Sequence, residues 1–380
     1  MNREKVVIII PTYNESAVIA QTLAMIFQET SSLLSYDVHV LVFDSNSSDG
    51  TASKVLKLKS IYPRLHLKTE AQKSGLGSAY LQAMRFALDE MQADVVIECD
   101  ADLSHQPKYI VPMLLMLDKH DVVLGSRYVK GGSIPKAWGF HRKLLSVVGN
   151  YIARFLLTYQ YKDFTSGFRV THRRVLASVL PRTFLSNHYA YKLQLLWLLH
   201  QGKARIVEFP IEFIDREQGV SKLPANSVID SLCVLLKLRF YELQRYFKMC
   251  LVGASGALIQ FFVYNGLRYE HVAPITATQC AVLLAITNNF LLNHLFTFND
   301  HREVSLAQNF KSFLVFLGYS AIMVSVQSYW LALGIRKFGH GFVTENLIII
   351  SGMMFGSVLN YLMYSKVIFS NKKSSSEVVD

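Results

Sequence analysis

Four apolar stretches, at about residues 249–267, 275–298, 313–335 and 342–369, limit what the last third of this 380-residue chain can become. Each is long enough to cross the roughly 30 Å hydrocarbon core of a bilayer as a helix. A spanning segment meets no water to satisfy its backbone, so the helix is the form open to it. An even count returns the C-terminus to the side on which the chain starts. Arg245, Lys248, Arg302, Lys311, Lys366, Lys372 and Lys373 fall at the ends on that side, and Arg268, Arg336 and Lys337 at the other. That bias makes the starting side cytoplasmic. Asn288, Asn289, Asn293 and His294 interrupt the second stretch and read either as helix-to-helix contacts or as a polar path.

Before about Tyr246 the chain has another character. The positive mean hydropathy of +0.24 comes from the C-terminal part, while the earlier part alternates short β-branched runs with amphipathic stretches, the pattern of a mostly parallel α/β sheet. The expected organisation is a soluble α/β domain over 1–226, a four-helix membrane domain over 249–370 and a polar tail at 371–380. Within the soluble domain, 138–159 reads as an amphipathic helix with Arg142, Lys143 and Arg154 as its basic residues, lying on the membrane surface; a packed core helix is the competing reading. Residues 227–248 read as a second interface helix. The N-terminus reaches a strand of only five apolar residues, too short for a signal-peptide core, so the first domain is expected in the cytoplasm. The net charge of +11, beside membrane spans, favours anionic lipid and phosphorylated small molecules as partners; no nucleic-acid motif is present. Cys99, Cys233, Cys250 and Cys280 show no paired spacing, so neither zinc nor disulfides are expected.

Val95-Val-Ile97 has the composition of a buried strand, and Asp100-Ala-Asp102 follows where that strand leaves the sheet. Carboxylates at i and i+2 face the same way, so Asp100 and Asp102 can share a hard cation and its bound phosphates. A solvated loop with capping carboxylates fits the same residues. Other strand ends carry related signals. Residues 6–10 lead into Pro11-Thr-Tyr-Asn-Glu15, where Tyr13 can lie against a base and Glu15 can accept from a ribose hydroxyl, or where Asn14 simply caps a turn. Residues 38–43 lead into Asp44-Ser-Asn-Ser-Ser-Asp-Gly-Thr51, placing a carboxylate where α/β sheets meet a ribose or base. Lys73-Ser-Gly-Leu-Gly-Ser-Ala79 reads mainly as a close-packed helix start. Arg127, just past the strand at 121–125, can fork diphosphate oxygens or form an ion pair in its loop. Ser166 and Gly167 allow backbone to approach a ligand. Residues 184–201 read as a helix carrying Lys192, 204–209 and 211–214 as edge strands, and 216–222 as a basic loop able to close on phosphates.

Taken in order, Pro11-Thr-Tyr-Asn-Glu15, Asp44 to Thr51, Asp100-Ala-Asp-Leu, Gly125-Ser-Arg-Tyr-Val-Lys-Gly-Gly132, Ser166-Gly-Phe and Gly219-Val-Ser-Lys-Leu223 resemble the polyprenyl-phosphate glycosyltransferases, and within them the dolichol-phosphate mannose synthases. Residues 252–256 and 288–298 resemble the GtrA-type four-helix membrane domain. The resemblance implies a GT-A fold, a nucleotide sugar, Mg2+ or Mn2+, and inversion at the anomeric centre. It implies transfer of mannose from GDP-mannose to dolichyl or another polyprenyl phosphate; UDP-glucose as donor is the nearest alternative, and a lipid-sugar flippase with a non-catalytic soluble module is the alternative of another class. By that resemblance Pro11, Tyr13, Glu15, Phe43 and Asp44 hold the nucleoside, and Asp100, Ala101 and Asp102 the nucleotide and metal, with Ser104 a further candidate ligand. Arg127, Lys192, Arg216 and Lys222 surround diphosphate and sugar; Arg142 and Ser146 take the lipid phosphate, with Lys192 also assigned to the acceptor side. Asp102, Arg127 and Arg142 are the expected catalytic groups. Two positions depart from the family: Ser104 stands where Gln is usual, and Asp44-Ser45 where paired acids are usual.

A phosphomonoester with a second pKa near 6 is mostly ionised at neutral pH, so such an acceptor requires no general base. That agrees with a sequence offering no isolated catalytic carboxylate beside the acidic motif. His105 reads as a loop hydrogen-bonding residue.

Overall fold

Val6, Val7, Ile8, Ile9 and Ile10 are wholly buried, as a strand covered on both faces must be. They form the middle of β1 (Glu4–Thr12) in a computed structural model that describes residues 3–215, 226–293, 295 and 306–363. Around β1 the chain lays down α1 (Ile19–Thr30), β2 (Tyr36–Asp44), α2 (Thr51–Leu58), β3 (Leu65–Thr69), α3 (Leu76–Arg85), β4 (Val95–Glu98), α4 (Ile110–Leu115), β5 (Val122–Ser126), α5 (Phe140–Leu156), β6 (Arg169–His172), α6 (Arg173–Val179), α7 (Tyr191–Gln201) and β7 (Ile206–Pro210). The seven strands form one sheet in the order β3-β2-β1-β4-β6-β5-β7. Every pairing is parallel except those of β6, which runs against β4 and β5.

The period-2 alternation of β1 divides the core. Val6, Ile8 and Ile10 pack with Ile19, Leu23, Ile110 and Leu114 on one face. Val7 and Ile9 pack with Tyr80, Met84, Tyr191 and Leu195 on the other. Parallel pairing then aligns strand ends: Thr12 lies opposite Asp44 and Ile9 opposite Glu98, so the segments after β1, β2 and β4 leave the sheet along one edge. That edge carries the acidic motif.

Beneath it lies a buried ion pair. Glu98 and Arg169 are paired across β4 and β6, with Arg169 Nε donating to Glu98 Oε1 at 2.8 Å and the Tyr191 hydroxyl donating to Oε2 at 3.1 Å. Arg169 Nη1 is buried without a hydrogen-bond partner among the described residues.

Several elements differ from the sequence expectation. The helix expected over 184–201 begins only at Tyr191, because the segment before it is held in turns, with Leu185 N donating to Gln194 Oε1. Residues 211–214 form no strand and make one isolated bridge, Glu212 to Ser133. The interface helix expected at 227–248 and the apolar stretch after it are one helix, α8 (Ser227–Tyr269), since no proline interrupts the run.

The chain divides into two units, one up to Phe240 and one from Tyr241. The second holds the remainder of α8, α9 (Pro274–Leu292), α10 (Leu306–Phe338) and α11 (Phe342–Met363). Among the described residues, Phe247–Tyr269 and Pro274–Leu292 are long and apolar enough to cross a membrane. The asparagines of the second apolar stretch go to helix packing: Asn288 Nδ2 donates to Ser255 Oγ at 2.9 Å, and Asn289 lies directly over Gly256. Asn265 and Asn346 exchange hydrogen bonds in the same way, at 2.9 and 3.0 Å. Asn293 is buried, and His294 lies outside the described residues.

Replacing Glu98 with Ala leaves Arg169 buried and uncompensated, and should destabilise the soluble domain by about 3–5 kcal/mol. Joint replacement of Glu98 and Arg169 by Leu and Met should recover most of that loss, read by denaturant unfolding of the two variants side by side.

Candidate active site

The turn after β1 and the turn after β2 are knitted together by short polar side chains. Thr12 Oγ1 and Ser47 Oγ both donate to Asp44 Oδ1, at 2.8 and 2.6 Å, and Ser47 N donates to Oδ2 at 2.9 Å. Asn14, in the left-handed region at φ 53°, accepts from Ser48 N at 2.9 Å. Asp49 accepts from Thr51 N and from Ser16 N; burial opposes its ionisation, but these hydrogen bonds hold its pKa down to about 2. Asp44 is therefore committed to the turn and almost wholly buried, and the Phe43 side chain lies in the core. Ser45 is the residue of that segment that reaches the cavity.

The cavity has a volume of about 330 Å³ and brings together Pro11, Tyr13 and Glu15 from the first turn with Asp100, Ala101 and Asp102 from the turn after β4. Lys73, Ser74, Gly75, His188 and Tyr189 line it as well. Lys73 Nζ stands 3.6 Å from the centre of the Tyr13 ring. Neither Lys73 as a side chain nor His188 and Tyr189 was singled out in the sequence. The glycine-rich segment is the close-packed helix start expected of it: Gly75 has φ +104°, and a Cβ on it would fall 2.3 Å from the Asn187 carbonyl oxygen.

Leu103, at φ 60°, turns the acidic motif back on itself. Ser104 then donates both N–H and Oγ–H to Asp102 Oδ1, at 3.1 and 2.6 Å, so it orients the carboxylate from behind. His105 Nδ1 accepts the Asp100 backbone N–H at 3.1 Å, which fixes the neutral tautomer with its proton on Nε2. Its ring is buried, stacked on Phe168 at 5.0 Å and edged by Phe213 at 5.7 Å. Burial pushes the His105 pKa down; Asp100 opposes this, Lys192 reinforces it, and Asp102 and Arg127 pull in opposite directions more weakly. Four residues singled out in the sequence thus act on one ring.

Arg127 is partly buried, and its fork is already engaged: Nε and Nη2 donate to the two oxygens of Asp163 at 2.7 Å, and Nη2 also to Thr165 Oγ1 at 2.6 Å. Burial works against both charges, yet their attraction holds Asp163 below the ordinary carboxylate range and Arg127 above its ordinary value. Nη1 makes no hydrogen bond among the described residues. Gly167 serves Lys192 rather than leaving backbone open to a ligand, since a Cβ there would fall 2.2 Å from Lys192 Nζ. Lys192 is buried, with its ammonium 5.7 Å from the centre of the Tyr189 ring. Such a group is costly unless an anion completes it.

Arg142 does not line the cavity. Its guanidinium lies 4.0 Å from the Trp138 ring and 3.4 Å from Asp215, a half-exposed pair of little energetic weight. Trp138 in turn edges Phe213 at 5.9 Å, and Phe213 touches both Arg127 and His105. Ser146 shares a hydrogen bond with the Tyr128 hydroxyl at 2.7 Å. Arg216 and Lys222 lie outside the described residues.

This arrangement, an Asp-x-Asp turn at the C-terminal edge of a mostly parallel sheet with one reversed strand, is that of a GT-A type glycosyltransferase domain. Residues 7–180 match the family described as glycosyl transferase family 2, and 248–369 the family described as the GtrA/DPMS transmembrane domain. A dolichol-phosphate mannosyltransferase from Pyrococcus furiosus is 33% identical over 87% of this chain and 91% of its own. A polyprenol monophosphomannose synthase from Mycolicibacterium smegmatis is 33% identical over 60% of this chain and 84% of its own. Among solved structures, mannosyl-3-phosphoglycerate synthase from Rubrobacter xylanophilus is 19% identical, with a TM-score of 0.48 over 64% of this chain and 75% of that one. The chain belongs to the dolichol-phosphate mannosyltransferase family of polyprenyl-phosphate glycosyltransferases.

Because the Asp163 pKa is depressed by folding, its contribution to stability should be present in full above about pH 4 and fade as pH falls through its lowered value. Asp163→Asn should therefore cost about 3–5 kcal/mol at neutral pH, and the gap to the parent protein should close on acidification. Thermal melts at a series of pH values check this.

Proposed function

We propose that the protein moves mannose from GDP-mannose to dolichyl or another polyprenyl phosphate, inverting the anomeric centre, at the cytoplasmic face of a membrane that its C-terminal domain crosses four times. The observation that carries this reading is the single cavity in which Tyr13 and Glu15 meet Asp100 and Asp102, in a chain that aligns with a dolichol-phosphate mannosyltransferase over nearly its whole length.

In this reading Tyr13 lies against the base and Glu15 accepts from the ribose, with Pro11 and the backbone of Phe43 and Asp44 shaping the turn. Ser45 then takes the place of a second acid, the one feature that keeps UDP-glucose as a second reading of the donor. Asp100, Ala101 and Asp102 meet the diphosphate. Among the described residues no three His, Cys, Asp or Glu side chains are grouped to enclose a metal ion. Two carboxylates suit Mg2+ or Mn2+ all the same, since such ions commonly take one or two carboxylates and complete their shell with substrate phosphates and water. That ion, when bound, would neutralise charge developing on the departing nucleoside diphosphate. Ser104 supports the site by orienting Asp102.

The cations divide the remaining work. Arg127, held by Asp163, offers its Nη1 edge to a phosphate oxygen, and Lys192 offers a buried ammonium to the sugar-phosphate or the acceptor. Arg216 and Lys222 would close on the diphosphate. Arg142 and Ser146 would hold the acceptor phosphate, with the lipid tail kept in the bilayer by α5. That helix exposes Phe140, Leu144, Leu145, Tyr151 and Phe155, the apolar face expected of a helix lying in a membrane surface. The first part of α8 exposes Val228, Ile229, Leu232, Leu236 and Phe240 in the same manner.

The acceptor arrives ionised, so attack needs no proton removal. His105 agrees with this, because its Nδ1 is already occupied by the Asp100 N–H.

Purified protein given dolichyl phosphate, Mn2+ and radiolabelled GDP-mannose should form a mannosyl lipid, with much less product from UDP-glucose. Asp102→Ala should lower turnover at least about a hundredfold while its melting temperature stays close to the parent's. Near-normal turnover of that variant would refute the assignment.

A further inference from the structure

Asp230 stands in the first turn of α8 and does not line the cavity. Its Oδ2 accepts the hydroxyl proton of Ser186 at 2.5 Å, and the same Ser186 oxygen accepts the backbone N–H of His188 at 3.0 Å. Ser186 is buried, and its hydroxyl joins the two elements, giving its proton to Asp230 and one lone pair to the turn that follows. That turn carries His188 and Tyr189 into the cavity wall.

The segment from Lys73 to Gly77 leans on the same turn. Gly77 N donates to the Asn187 carbonyl oxygen at 2.8 Å. Gly75 and Gly77 bring backbone so close that a Cβ on either would fall 2.3 Å from the Asn187 oxygen or 2.7 Å from the Ser186 oxygen. Lys73, Ser74 and Gly75, which line the cavity together with Tyr13, are therefore braced against 186–188, and Ser186 is tied to α8 by a charge-assisted hydrogen bond.

We propose that the Ser186–Asp230 hydrogen bond is a latch by which the first turn of α8 sets the donor-side wall of the cavity, making Asp230 a positioning residue for the nucleotide sugar. This rests on the cavity being the nucleotide-sugar site. Without the latch the turn keeps its covalent path and the packing of Leu185 against Val234 and Leu235 but loses the hydrogen bond from Ser186 to α8, and the glycines beside it carry no side chains to wedge it in place. The effect falls on donor binding, because Arg142 and Ser146, which stand on α5, are held by Asp215 and Tyr128 rather than by the turn at 186–188.

The test compares the full chain with Asp230→Ala and Ser186→Ala, the second keeping α8 unaltered should the first fray its opening turn. The KM for GDP-mannose is expected to rise about tenfold in both, with kcat and the KM for dolichyl phosphate within about twofold of the parent. The double variant should be no worse than either single one, since they remove the same bond. The dissociation constant of GDP with Mn2+, measured without lipid acceptor, should rise by the same factor. A donor KM unchanged in both variants, or an equal rise in both KM values, overturns the latch while parental transfer and GDP binding leave the function standing. A parent protein that neither binds GDP nor transfers mannose overturns the reading of the cavity, and the latch with it.

Discussion

A carboxylate can hold a dication and a diphosphate only if it is itself held still, and the turn after β4 does this for two of them. Asp100 is anchored through its backbone N–H to a buried, neutral imidazole, and Asp102 through the paired donors of Ser104. His105 is fixed in turn by Phe168 at the start of β6 and by Phe213 beyond β7. The acidic motif is thus a short turn clamped by residues about 60 and 110 positions later in the chain. Parallel pairing of β1, β2 and β4 brings the turn after β1 to the same edge.

Around that clamp the soluble domain buries more charge than a simple α/β core requires. Glu98 with Arg169, Asp163 with Arg127, and Lys192 over Gly167 all lie beneath or beside the acidic motif. Buried pairs add little net stability, because desolvation offsets attraction. In the proposed reaction they would fix where positive charge stands before any substrate arrives, so that little reorganisation remains for the moment of transfer. Phe213 gives this a direction: on its surface meet His105, Arg127 and Trp138, and Trp138 carries Arg142. The proposed donor and acceptor groups are joined through one aromatic side chain.

Much of the frame could be read from residue order. The β-branched runs at 6–10, 38–43 and 95–97 are strands, each followed by the polar residues that build the site edge, because buried parallel strands leave a periodic and compositional mark. Lys73, His188 and Tyr189 left no such mark: they come from loops, and a loop's place against a distant turn is set by packing that no local period records. Phe213 was hidden for the opposite reason, since 211–214 alternates like a strand yet forms only one bridge. Arg127 was read either as a fork for phosphate or as an ion pair in its loop; its fork is found on the Asp163 carboxylate, a partner that spacing could not supply. Gly167 was marked as a point of close approach, and the group that approaches is Lys192.

The central claim is that sugar passes to an acceptor that is already anionic, with no proton taken up by the protein. The pH dependence of kcat/KM for the polyprenyl phosphate tests it most directly. A single ionisation near pH 6, that of the acceptor phosphate, with activity lost below it and level above it, is the predicted profile. A second rising limb between about pH 6.5 and 8 that disappears when one protein side chain is replaced would reveal a general base and contradict the account.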